Sequence, residues 1–103
     1  MKPGQRIAGL IGSGEILISN HARVRMFERN ISTDDLITII TSGEIIEDYP
    51  DDVPCPSVLI VGFINSVAYH TVVAVCTDHI RVITVYIPAE DKWIEYRRRS
   101  NEP

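Results

Sequence analysis

The spacing of apolar residues changes once along this chain, at Gly43. Before it they recur at helical intervals; after it they run in short β-branched stretches. Pro3 suits a first helical turn, so a short helix is expected over residues 4–11, ended by Gly12-Ser13-Gly14. Glu15 to Ile18 reads as a short extended piece. Ser19 or Asn20 can cap a helix from His21 to about Arg29, and Asn30 suits the left-handed position after it. Ser32-Thr33-Asp34-Asp35 sets a hydroxyl three residues before an acid, a variant of the capping box, and its acids suit a positive helix end. Leu36, Ile37, Ile39 and Ile40 supply the apolar stripe of that helix, and Gly43 stops it.

Four strands follow. The first is Glu44 to Tyr49, then a loop whose Pro50, Pro54 and Pro56 cannot continue a ladder. Ser57 to Ile64 and Val67 to Cys76 are joined by the two-residue turn Asn65-Ser66, which sets Gly62 opposite Tyr69. Thr77-Asp78 marks the next turn, and His79 to Ile87 is the last strand, ended by Pro88. The last three are β-branched on both faces, as expected of a sheet covered by helices. The expected architecture is α+β: two or three N-terminal helices packed on a four-stranded antiparallel sheet. It forms one domain over residues 1–103, with a core of about 15–96 and a basic tail over 97–103.

Composition narrows the class. The 103 residues are 45% hydrophobic and 23% charged, enough for one folded core. The longest apolar run, Val58 to Ile64, is strand-sized, far short of the roughly 18 residues of a membrane span. The N-terminus is a poor fit to a signal peptide. Cys55 and Cys76 have no CxxC spacing, are too few for a disulfide framework, and have no His close in sequence to suggest a nucleophile. A cytoplasmic domain is expected, and a transmembrane protein, a disulfide scaffold, a cysteine-rich zinc module and a multidomain enzyme are excluded.

Charge is unevenly spread. The net value of −4 resolves into +3 over residues 1–29, −7 over 30–56, and balance thereafter. The acidic whole argues against strong non-specific nucleic-acid binding, while residues 23–29 and Arg97-Arg98-Arg99 could still form a local basic face.

Three groups of residues could carry chemistry. His21, Arg25 and Arg29, four apart, share a helix face: either a phosphate-binding set or a solvated face with Arg25 paired to an acid from 44–52. His70 and Tyr86 lie on adjacent strands. A two-residue turn at 77–78 sets His70 opposite Val85, and a three-residue turn sets it opposite Tyr86. The second register places imidazole beside phenol, either as an acid–base pair or as a packed, satisfied one. Gly12-Ser13-Gly14 lacks the strand and the GK[ST] of a phosphate loop. His21, His70 and His79 share no ligand spacing, so no metal and no cofactor is expected.

His21-Ala22-x-x-Arg25-Met26-x-x-Arg29-x-Ile31-Ser32 and Gly43-Glu44-Ile45-Ile46-Glu47-x-Tyr49-Pro50-x-Asp52-x-Pro54-x-Pro56-Ser57 resemble a family of small prokaryotic proteins known only as a domain of unknown function. The likeness continues through Gly62-Phe63, Tyr69-His70-x-Val72-Val73, Ile83-Thr84-Val85-Tyr86-x-Pro88 and Asp91-x-Trp93, nearly the whole chain. That family looks like a distant relative of the RelE/ParE, BrnT and MqsR toxins. The resemblance implies a RelE-like fold, a cognate antitoxin and RNA as partners, and metal-independent endoribonuclease chemistry. On that reading His70, Tyr86 and Arg25 are catalytic, and His21, Arg29, Tyr49 and Arg81 bind RNA or phosphate. The alternative is a non-catalytic interaction module of the same fold, whose acids Glu44, Glu47, Asp48, Asp51 and Asp52 dock a basic partner. The charges on the edge strand Glu44 to Tyr49 predict a monomer or a weak dimer.

Overall fold

A computed structural model describes residues 3–89 and 92–99. Three helices, α1 (Pro3–Gly12), α2 (Asn20–Arg29) and α3 (Thr33–Ser42), precede or interleave with strands β1 (Ile16–Ile18) and β2 (Glu44–Tyr49). Then come β3 (Ser57–Ile64), β4 (Val67–Val75), β5 (Ile80–Tyr86), β6 (Trp93–Ile94) and β7 (Arg98–Arg99). The expected caps form. Ser19 accepts from the amide of Ala22, and Asn30 takes φ 57° while its N–H returns to the carbonyls of Met26 and Phe27. Ser32 and Asp35 exchange hydrogen bonds across the first turn of α3.

The main sheet has five strands, not the expected four, in the order β1-β5-β4-β3-β2. The added member is β1, which lies parallel to β5 with Ile16 opposite Ile80 and Ile18 opposite Val82. Three residues are too few to show a period, and a parallel partner some 60 residues away leaves no local trace. β2 forms the opposite edge.

The register of β4 with β5 combines features of both sequence-based alternatives. The turn is the two-residue one, with the Cys76 amide donating to the His79 carbonyl at 2.9 Å and Val75 opposite Ile80. A β-bulge then leaves Ile83 unpaired, so that Val73 faces Val82 but Val72 faces Thr84, and His70 arrives opposite Tyr86.

One face of the sheet packs on the helices. Leu36, Ile39 and Ile40 of α3 and Ala22 and Met26 of α2 share a buried cluster with Val58, Ile60, Val73, Val75, Ile80, Val82 and Val85. Each fully buried aliphatic side chain there stabilises the fold by about 1.5–3 kcal/mol. Gly62 lets α3 come close: a Cβ on it would lie 2.5 Å from the Ile39 carbonyl oxygen.

The opposite face is also covered, which explains why β3 is buried from Ser57 to Gly62. Its cover is not helical. The β6–β7 hairpin lies there, turning at Glu95 (φ 53°) and Tyr96 (φ 65°), with the Arg97 amide donating to the Ile94 carbonyl at 3.0 Å. Cys55 and Cys76 are joined in a disulfide with Cα atoms 5.2 Å apart, which ties the 50–56 loop to the end of β4. Among the described residues no helix is long and apolar enough to cross a membrane.

Candidate functional site

Strand alternation decides which side chains can meet. Val73 and Val75 belong to the helix-side cluster, so His70 points to the other face, with Tyr86 beside it on β5. On β2, Glu47 pairs with Leu59 and Tyr49 with Ser57, two positions apart on that same face. The hairpin adds Trp93, Tyr96, Arg97 and Arg99 from above.

His70 sits at the centre and is 0% exposed. Its ring meets Trp93 edge-on at 4.4 Å and Tyr86 at 5.4 Å between centroids. Nε2–H donates to the Tyr96 carbonyl at 2.6 Å, which leaves Nδ1 of the neutral ring to accept the Tyr86 hydroxyl at 3.3 Å. Burial holds His70 below the ordinary histidine pKa, against the opposing pull of the Tyr96 carbonyl and of Glu47. Burial pushes the Tyr86 phenol up. His70 is therefore a neutral base and Tyr86 a neutral acid at physiological pH.

Beside them lies a charged group. Arg99 grips Glu47 with two bonds, Nε to Oε2 at 2.8 Å and Nη2 to Oε1 at 3.0 Å, and its guanidinium stacks over Trp93 at 4.8 Å. Tyr49 donates its hydroxyl to the same carboxylate. Burial raises the Glu47 pKa, but the Arg99 and Tyr49 bonds outweigh it and hold the carboxyl below its ordinary value. Tyr49 is raised, by burial first and then by its bond to Glu47. The hairpin is further fastened by Arg97, whose Nε donates to Glu44 at 2.6 Å while its guanidinium lies 5.9 Å from the Phe63 ring centre. Tyr96 meets Phe63 edge-on at 6.0 Å. Among the described residues no buried side-chain polar atom lacks a partner, and no cluster of three or more His, Cys, Asp or Glu could hold a metal.

The structure thus brings together His70, Tyr86 and Tyr49 of the sequence-predicted set. It does not bring Arg25, Arg29 or His21 to them: all three are exposed on α2, whose buried side packs on the opposite face of the sheet. Arg25 pairs with Glu28 of its own helix at 3.1 Å rather than with an acid from 44–52. Arg81 shares the face of His70 but stands opposite Ala74, four residues along β4. Sequence reasoning gave Trp93 no role, set Glu47 among acids for a basic partner and Arg99 in a basic face, and did not join the three to His70; Glu47 is instead engaged by the chain's own Arg99. Glu47 carried a usable signal, because its i, i+2 relation to Tyr49 on a strand sets both on one face. Arg97-Arg98-Arg99, which the sequence offers as a local basic face for RNA or an acidic partner or as a solvated terminus, clasps the molecule's own acids through its first and third members.

Fold and site together define a small α+β domain with a polar His–Tyr–Glu–Arg centre on the outer face of its sheet. The chain matches the family described as a domain of unknown function, DUF4258, over residues 18–87, and belongs to that family. The matched span holds Glu47, Tyr49, His70 and Tyr86 and stops before the hairpin that covers them. No curated protein and no solved structure matches the chain.

Proposed function

We propose that this domain is a metal-independent endoribonuclease of the toxin type, with its chemistry on the sheet face beneath the C-terminal hairpin. The observation that carries the reading is the convergence there of a neutral histidine, a neutral phenol and a carboxylate-bound arginine. The RelE-like resemblance of the motifs agrees with it. In the reaction a ribose 2′-hydroxyl attacks the adjacent phosphorus. The O2′–P bond forms and the P–O5′ bond breaks, leaving a 2′,3′-cyclic phosphate and a 5′-hydroxyl. Displacing the hairpin removes the Tyr96 carbonyl from His70. The Nδ1–H tautomer, donating to Tyr86, then presents a free Nε2 to take the 2′ proton. Tyr86 or protonated His70 returns a proton to the leaving O5′. Arg99, which rides on β7 of the same hairpin and is released from Glu47 as the hairpin shifts, reaches back to neutralise the charge gathering on phosphorus.

The closed state favours a second reading. With His70 sealed and both ring nitrogens occupied, the same face serves as a rigid polar core, and the domain acts as a non-catalytic interaction module. The two readings separate in one experiment. The chain is incubated with RNA in excess EDTA, beside His70→Ala, Arg25→Ala and the hairpin-loosening Arg97→Ala, and expressed alone in a bacterial host. Cleavage to cyclic-phosphate ends, with growth arrest, that is lost in His70→Ala and kept in Arg25→Ala supports the nuclease. Intact RNA with both the native chain and Arg97→Ala overturns it and leaves the interaction module. The antitoxin expectation is tested alongside, by whether the neighbouring gene product relieves any arrest.

A further inference from the structure

The outer face of the sheet has a second, open end. There, away from the hairpin, a cleft of about 430 Å³ lies between the 50–56 loop and β5. Its walls are Val53, Pro54, the Cys55–Cys76 disulfide and Ile83, and Arg81 projects at its lining. The size falls within the range of small-ligand sites, and the lining has their character: mostly apolar, with few polar groups.

Two features set this cleft apart from an ordinary surface dip. Its apolar groups are left to solvent: Val53 is 89% exposed, and Ile83 is the residue that the β-bulge leaves out of the ladder. Its charges are also unequal in availability. The Asp52 carboxylate in the lining accepts the Ser57 hydroxyl at 2.5 Å, and His79 at the rim pairs with Asp78 at 2.8 Å. Among the described residues the Arg81 guanidinium has no hydrogen-bond or ion-pair partner. The loop wall is held in advance of any ligand by the disulfide and by the Val75 amide donating to the Pro56 carbonyl at 2.7 Å. Little ordering cost is left to binding.

The geometry points to a binding site for a small amphipathic anion, whose carboxylate, sulfonate or phosphate rests on Arg81 while its apolar body lies against Val53, Pro54 and Ile83. The inference is independent of RNA cleavage, since it uses no group of the His70 centre.

The probe is 8-anilinonaphthalene-1-sulfonate, titrated by fluorescence into the oxidised full chain, with far-UV circular dichroism confirming that each variant is folded. Saturable binding at one site is expected. It should weaken at least fivefold in Arg81→Gln and be abolished in Ile83→Asp. Phe27→Ser, which removes the exposed aromatic of α2 on the other layer, should leave it unchanged. 2-Naphthoate should displace the probe, and the uncharged 2-naphthalenemethanol should do so at least fivefold less well. Binding insensitive to both Arg81→Gln and Ile83→Asp overturns the site. Loss in Phe27→Ser alone moves the probe to α2 and overturns it equally. Equal displacement by the charged and uncharged competitors removes the role of Arg81.

Discussion

The two faces of one sheet are closed by different means. On the helix side the seal is apolar and continuous: α2 and α3 lay Met26, Leu36, Ile39 and Ile40 onto Val58, Ile60, Val73 and Val82, and Gly62 lets the layers nearly touch. On the other side a hairpin with two-residue strands is held by two partly exposed ion pairs, two cation–π contacts and one buried histidine. The first kind of cover resists opening because every displaced side chain must return apolar area to water. The second has one apolar anchor, the buried Trp93, and is otherwise made of contacts that water and salt can replace at small cost. A fold that seals one face firmly and the other lightly has kept its chemistry-bearing residues under the lighter cover.

That contrast can be broken by substitution. Ile39→Ala removes a fully buried branched side chain from the helix layer and should cost about 2–5 kcal/mol in a urea melt. A loss below about 1 kcal/mol would mean the helix layer is not the stabilising one. His70→Leu keeps apolar bulk beneath the hairpin but strands the Tyr96 carbonyl and the Tyr86 hydroxyl, at a cost of about 1–3 kcal/mol. Its amide hydrogen exchange should rise at residues 93–99 and stay unchanged along α3.

The pH dependence follows from the same histidine. Its folded pKa lies below the ordinary value, so its contribution to stability is fully present above about pH 6.5 and is lost as pH falls through the folded value. Between pH 7 and 5 the native chain should lose stability more steeply than His70→Leu, by no more than about 1.4 kcal/mol per pH unit. Equal slopes would show that His70 does not change its proton affinity on folding. The smallest effect belongs to Arg97→Ala. Its partly exposed pair with Glu44 should be worth less than about 1 kcal/mol, and less again in 1 M salt.

Local chemistry made much of the fold legible. Ser19, Asn30, Ser32 with Asp35, and Gly43 each mark a helix end through groups within a few residues. Asn65-Ser66, both with φ near 50–70°, set the register of β3 on β4. That register held one further message: continued past Ser57 opposite Ala74, it sets Cys55 opposite Cys76, which is where the disulfide forms. Counting cysteines alone concealed it. Other features had no local signature. β1 finds its partner at the far end of the chain, and Glu95-Tyr96 turn a hairpin without the glycine or asparagine that usually announces one. Because that turn was hidden, so were Trp93 above His70 and Arg99 on Glu47. The candidate site was half visible for this reason: its strand residues follow from alternation, and its cover follows from a fold-back that only tertiary contacts specify.

The bulge at Ile83 makes the two ends of β5 answer to different neighbours. Up to Val82 the strand keeps step with the helices, and from Thr84 onward its phase is reversed. Were Ile83 instead taken into the ladder with the turn unchanged, Val85 would stand opposite His70 and face the hairpin, and Tyr86 would turn toward α2. The phenol would enter an oily layer with no acceptor, and His70 would lose its partner. One peptide unit, acting as a spacer, therefore allows the inner packing and the outer polar centre to vary independently along the same strand.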